Sequence, residues 1–165
     1  MASRILLCDD DADAANTLRL LLESEGHEVS VCHAGLACIE KARTWRPQIV
    51  VVDIGLPDVS GYAVAREIRQ LPFGREAILV AFTGHGHPQD VRFGAAAGFD
   101  AHMTKGTDPM LLVELAARPG RAALAFVDGN LHQIQVRVAH VDRADRPLRA
   151  ALAHRAFDDL HAGGA

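Results

Sequence analysis

Gln48-Ile49-Val50-Val51-Val52-Asp53 is the stretch that decides the fold. A strand with one wet face alternates apolar and polar side chains, and the unbroken β-branched run Ile49-Val50-Val51-Val52 does not. Such a run suits a central strand of a parallel sheet covered on both faces. The strand is therefore read as Gln48–Val52, with Asp53 following its carboxyl end.

On the N-terminal side, strand Arg4–Cys8 leads to a helix from about Asp13 to Glu25, whose apolar face includes Leu18, Leu21 and Leu22. Gly26 stops that helix. Strand Glu28–Cys32 and helix Leu36–Thr44 come next. Trp45-Arg46-Pro47 closes the second helix, because the residue before a proline is pushed away from helical dihedrals. On the C-terminal side come helix Gly61–Leu71, strand Ile78–Phe82, helix Pro88–Ala97, strand Asp100–Thr104 and helix Asp108–Ala117. Five strand–helix units with short loops predict an α/β fold, a doubly wound open parallel sheet with right-handed crossovers. Ligands of such sheets bind at the carboxyl ends of the strands.

Asp9 and Asp10 follow the first strand, and Asp53 follows the third. Strands ending side by side bring these carboxylates close together, where their repulsion is costly without a counter-charge; a hard divalent cation relieves it. Magnesium suits the site, since it takes one or two carboxylates and keeps open positions for water and phosphoryl oxygens. Asp9, Asp10 and Asp11 also have an ordinary use as a helix N-cap, but one Asp is enough for that. A run of three answered by Asp53 points to a cation site with an acyl-phosphate acceptor.

At 165 residues and 49% hydrophobic content the chain fits one compact domain and an appendage, with no room for a second large domain. MASRILLC at the N-terminus has one basic residue and a short apolar run, so it reads as neither a signal peptide nor a membrane span, and a cytoplasmic location is expected. Cys8, Cys32 and Cys38 lack metal-ligand spacing and read as buried, reduced thiols. The net charge of −4 offers no basic field for nucleic acid. Residues 1–118 sum to −5 and residues 119–165 to +1, a shift that follows the natural boundary Pro119-Gly120.

Across roughly its first 118 residues the chain resembles the receiver domain of two-component response regulators. The resemblance rests on Asp9-Asp10, Asp53 in VVDIGLPDVSG, Thr83 in VAFTG and Lys105 in AHMTKG, which agree in order and spacing. It implies a flavodoxin-like (βα)5 fold with strand order 2-1-3-4-5. It also implies a phosphoacceptor signalling protein rather than an enzyme acting on a separate substrate. Asp53 would attack the phosphorus of a phosphohistidine on a histidine kinase or phosphotransfer protein. Asp10, Asp53 and the Gly55 carbonyl would hold Mg2+, with Asp9 acting through water. Thr83 would be the switch hydroxyl, Lys105 the phosphate-binding lysine, and His102 stands at the aromatic switch position. The chemistry matches these roles, because in-line phosphoryl transfer needs an exposed carboxylate nucleophile, a metal and further cationic or hydroxyl donors.

Several of these residues also have ordinary readings. Lys105 alone would be a solvated lysine, and Thr83 alone a strand end; the set gives them function. Pro57 and Gly61 shape the loop after the acceptor, Gly61 by its conformational freedom. Gly55 leaves room beside the acceptor, and access for water there should shorten the lifetime of a phosphoryl group. Gly106 replaces the proline that usually follows the lysine in the family, which predicts a trans bond, a more flexible loop and a less well positioned Lys105. His102 read plainly is a polar strand residue facing solvent. His85 and His87 are too few for a metal site. His27, His33, His132, His140, His154 and His161 read as surface residues.

In residues 119–165, Ala122–Val127, the turn Asp128-Gly129-Asn130, and alternating Ile134, Val136 and Val138 read as a β-hairpin. Arg146-Pro147 opens a helix with an apolar stripe of Leu148, Leu152, Ala156 and Leu160. This extension is too short for a winged-helix unit and shows no basic reading helix, so direct DNA binding is not expected. It suits packing on the receiver or a homodimer. A phosphorylation-driven switch leads the functional readings. A phosphorylation-independent receiver-like interaction or dimerisation module follows. A hydrolase with an aspartyl-phosphate intermediate ranks last, because Gly55 occupies the place of its second acid.

Overall fold

A computed structural model describes residues 2–84 and 88–117. Its elements are β1 Arg4–Cys8, α1 Ala12–Ser24, β2 Glu28–Cys32, α2 Gly35–Trp45, β3 Ile49–Asp53, α3 Gly61–Gln70, β4 Ile78–Thr83, α4 Pro88–Ala97, β5 Ala101–Thr104 and α5 Met110–Ala117. The five strands form one parallel sheet in the order β2-β1-β3-β4-β5. The α/β architecture and strand order read from the sequence are those observed. The hairpin and helix read in residues 119–165, any pairing through them, and the His85–His87 loop lie outside the described residues.

Every residue of β3 is buried, as its uninterrupted apolar run requires. Asp53 closes that strand instead of following it, its Cα in register with Phe82 of β4. Strand periodicity then sorts the core. Ile5, Leu7, Ile49, Val51, Val80, Ala101 and Met103 pack with Leu22 of α1 and Leu112 and Leu115 of α5. Leu6, Val50, Val52, Leu79 and Ala81 pack with Ile39 of α2, Val64 and Ile68 of α3, and Ala97 of α4. Two layers of helix therefore cover the sheet, which is what the unbroken apolar run Ile49–Val52 demands. Cutting Ile49 to Ala would cost about 2–5 kcal/mol through lost burial and the cavity left behind.

Local signals set the helix ends. Asp11 caps α1, its side chain accepting the Asp13 and Ala14 N–H groups, each at 3.1 Å. That takes up the ordinary capping role and leaves Asp9 and Asp10 free for another. Gly26, at φ +85°, ends α1 in a conformation costly for a side chain bearing Cβ. Arg46 closes α2 in the left-handed region at φ 51°, just before Pro47. Ala34 at the N-cap of α2 makes no side-chain cap. Asp58 supplies that cap from a distance, accepting Gly35 N–H at 2.8 Å and Leu36 N–H at 2.9 Å.

At the amino end of the sheet, Arg69 of α3 is a hub. It donates to Gly98 O at 2.7 Å, to the Gly74 and Ala77 carbonyls, and to Asp100 Oδ2 at 2.6 Å. Asp100 Oδ2 also accepts Leu79 N–H at 2.8 Å, so the pair fastens α3, β4 and the α4–β5 turn together.

Two histidine readings are corrected. His27 is 7% exposed, and its Nδ1 accepts Ser3 N–H at 3.2 Å. His102 is 5% exposed rather than solvent-facing. Both faces of this sheet are covered, so polar His102 in the middle of β5 is buried.

Candidate functional site

The strand ends build the site by periodicity. Asp9 continues the series Ile5, Leu7; Asp53 continues Ile49, Val51; Lys105 continues Ala101, Met103. Each comes two residues after a core position on the face that α1 and α5 cover. Parallel, adjacent β1 and β3 place the two acids side by side, and Asp10 adds a third. One carboxylate oxygen from each of Asp9, Asp10 and Asp53 lies within 4.8 Å of the others. Like charges at that range repel by about 3 kcal/mol per pair at an effective dielectric of 20.

Lys105 Nζ answers part of this charge. It donates to Asp9 Oδ1 at 3.0 Å, with Asp9 Oδ2 2.8 Å away, and to Asp53 Oδ2 at 2.9 Å. Burial alone would lower the Lys105 pKa, but the bonds to Asp9 and Asp53 outweigh it and raise it, keeping the ammonium charged. Burial moves the Asp9 carboxyl above its ordinary value, against the pull of Lys105 and the Asp11 N–H. A single ammonium leaves two of the three carboxylate charges uncompensated, which a divalent cation matches. Three hard oxygen donors, one of them on the exposed Asp10, fit Mg2+ better than a softer metal.

The expectation of a poorly placed Lys105 is corrected, because the ammonium reaches both acids despite Gly106. No peptide bond among the described residues is cis, in line with the trans Lys105–Gly106 bond expected. The β4–β5 ladder fixes the lysine, with Lys105 N–H donating to Thr83 O at 2.7 Å. Thr83 is the buried last residue of β4.

Two glycines shape the acceptor loop differently. Gly55 donates its N–H to Asp53 Oδ1 at 3.0 Å, and a Cβ there would meet that oxygen at 3.8 Å, an ordinary contact. The sequence suggests conformational freedom as the reason for Gly61, but the reason for glycine there is space. A Cβ would stand 2.5 Å from Asp53 O and 2.8 Å from Ile54 Cα. Gly61 thus lets α3 begin directly against the strand that ends in Asp53.

His102 lies apart from the acids, its Cα in register with Ala81. Both ring nitrogens are buried without a hydrogen-bond partner among the described residues, beside a cavity of about 10 Å³ lined by Val91, Gly94 and Phe99. Burial lowers its pKa, with Asp90 opposing. The thiols take no part in the site. A hydrogen bond with Cys38 and burial push the Cys8 thiol far up, burial raises Cys32, and all three cysteines are free. The sequence reading missed Asp58 and Arg69, since Leu36, which Asp58 caps, and Asp100, which Arg69 pairs with, lie 22 and 31 residues away along the chain.

Residues 5–117 match the response regulator receiver domain. The uncharacterised 14.6 kDa protein in the sodA1 3′ region of Leptolyngbya boryana is 31% identical over 111 residues, covering 67% of this chain and 85% of that protein. The transcriptional regulatory protein TrcR of Mycobacterium tuberculosis is 33% identical over 147 residues, 88% of this chain and 51% of TrcR, so the chain spans about half of that relative's length. Among solved structures, the CheY-like response regulator receiver domain protein of Methanospirillum hungatei JF-1 superposes with a TM-score of 0.67 at 25% identity, covering 79% of this chain and 99% of that one. The fold, the acidic strand ends and these likenesses agree: the chain belongs to the response regulator receiver domain family.

Proposed function

We propose that the chain is a phosphoacceptor switch in which Asp53 receives a phosphoryl group from the phosphohistidine of a histidine kinase or phosphotransfer protein. The observation that supports it is the grouping of Asp53 with Asp9 and Asp10 within 4.8 Å and with Lys105 Nζ at 2.9 Å. An Asp53 carboxylate oxygen forms the new O–P bond, the P–N bond breaks, and the departing imidazole keeps the electron pair and takes a proton. Mg2+, held by Asp10, Asp53 and the Gly55 carbonyl with Asp9 through water, would neutralise charge on the non-bridging oxygens.

The chain's own residues do the remaining work. Lys105 holds Asp53 in place and offers its ammonium to the phosphoryl oxygens as they arrive. Thr83, ending the next strand, presents a hydroxyl donor. The added charge, about −1.5 to −2 for a phosphoryl group near neutral pH, draws Lys105 and Thr83 toward Asp53 and reshapes the β4–β5 end. His102, packed in the α4–β5 seam, is the ring that this movement would shift.

In this reading residues 1–118 are the receiver and residues 119–165 an extension that pairs with a second copy or packs on the receiver. The regulatory role in TrcR's name belongs to a protein about twice the matched length, and DNA binding is not part of this proposal. A cytoplasmic setting is proposed, consistent with the free thiols. Among the described residues no helix is long and apolar enough to cross a membrane.

Intact mass after incubation with acetyl phosphate tests the proposal. Wild type with Mg2+ should gain one phosphoryl group, while Asp53→Asn, or wild type in chelator, should gain none. An unmodified wild type would transfer support to the phosphorylation-independent interaction module, and size-exclusion elution of both proteins then reads self-association directly.

A further inference from the structure

Asp58 stands three residues beyond Gly55, in the loop between β3 and α3, yet its carboxylate is spent on α2. Oδ1 accepts Gly35 N–H and Oδ2 accepts Leu36 N–H. These two bonds, Leu36 first, hold the Asp58 carboxyl below its ordinary range, so it is charged and faces the positive end of α2. The loop sits tightly: a Cβ on Gly35 would come within 2.5 Å of Val59 Cγ2 and 2.8 Å of Val64 Cγ2.

The same few residues before α2 hold β1 from the other side. Asp9 N–H donates to Cys32 O at 3.1 Å, His33 Nδ1 lies 2.9 Å from Asp9 O, and the Cys8 thiol is 3.6 Å from Ala34 O. The segment from Cys32 to Leu36 therefore joins the backbone of Asp9 to the loop that contains Gly55. Gly55 N–H in turn donates to Asp53 Oδ1.

We infer that Asp58 is a positioning residue for the acceptor. By anchoring the Gly55–Val59 loop to α2, it keeps the Gly55 backbone against Asp53 and so fixes the direction in which the acceptor carboxylate points. The inference rests on the proposed role of Asp53. A helix cap alone would act only on α2; a positioning residue acts as far as Gly55.

Ala34 makes the two separable. It is extended, at φ −143° and ψ 148°, the backbone of a capping residue without a capping side chain. Asp58→Ala is therefore compared with the double variant Asp58→Ala, Ala34→Asp, which returns a cap to α2 without the loop tether. Amide hydrogen exchange is read at Leu36 and Gly55, together with the Mg2+ dependence of phosphorylation by acetyl phosphate.

Asp58→Ala should speed exchange at both amides by about fivefold, the equivalent of one lost cap, and raise the Mg2+ concentration for half-maximal phosphorylation. The double variant should recover Leu36 and thermal stability but leave Gly55 fast and the Mg2+ requirement high. Unchanged exchange at Gly55 in Asp58→Ala, or its recovery in the double variant, would reduce Asp58 to a helix cap and overturn the inference. Asp58→Asn, which keeps the shape and one acceptor oxygen, gives the same comparison at smaller amplitude if the alanine variant does not fold. A wild type that takes no phosphoryl group sinks the acceptor role, while the Gly55 exchange still judges Asp58.

Discussion

The two ends of the sheet each set a cation against carboxylate, and they use it in opposite ways. At the amino end, Arg69 is closely tied, its donors directed at three carbonyls and Asp100, and Asp100 has a second partner in Leu79 N–H. At the carboxyl end, Lys105 is one point charge before three carboxylates, and Asp10 is exposed. A guanidinium in fixed, planar contacts is a fastener; an ammonium on a flexible stem, facing excess negative charge, is a partner that can change its bonds. Matched charge and fixed contacts mark the structural end, and surplus charge marks the reactive one.

The strongest way to break this contrast is Arg69→Ala. With side chains 12% and 5% exposed, Arg69 and Asp100 are a buried pair, and removing one partner should cost about 3–5 kcal/mol in urea unfolding. The folded fraction should still take up phosphoryl groups at the wild-type rate.

Lys105→Met should do the reverse, slowing phosphorylation by acetyl phosphate about 10²–10³-fold, the cost of losing one preorganised charge donor. Its effect on unfolding should be the smaller of the two, because Mg2+ can replace the lost charge. Equal destabilisation by the two variants would erase the distinction between the ends.

A gentler probe is pH, which sharpens the contrast by adding a buried group that belongs to neither end. Burial lowers the His102 pKa, so the unfolded chain binds the proton more readily. Stability from a neutral His102 is complete above the ordinary histidine value near 6.5 and falls as pH drops through that value toward the folded one. His27, lowered by burial as well, acts in the same direction. Unfolding midpoints at pH 7.5 and 5.5 should differ less in His102→Phe than in wild type.

The fold was legible because β3 is extreme, apolar at four successive positions before Asp53, and because each strand of the site ends in a recognisable punctuation. Asp9, Asp10 and Asp53 were legible for the same reason, as acids placed where apolar series stop. What the sequence hid was contact across distance. Asp100 reads as the first residue of a strand, but its task is to hold Arg69, and Asp58 reads as loop while capping a helix it does not belong to. Only the plain reading of His102, a polar residue facing solvent, fails, since nothing in Asp100–Thr104 announces that α4 covers that face. Gly61 was placed correctly in the loop and given the wrong reason, because crowding by Asp53 O is visible only in three dimensions.

Lys105 meets Asp9 across 96 residues of chain. A protein made from its N-terminus displays its acids well before the lysine that compensates them has been added, and contacts so distant in sequence form slowly. During synthesis the repulsion among Asp9, Asp10 and Asp53 therefore opposes the pairing of β1 with β3 until a cation or Lys105 answers it. The last strand brings a charge that favours closing the middle of the sheet, so the charge that serves the mature site also favours its assembly.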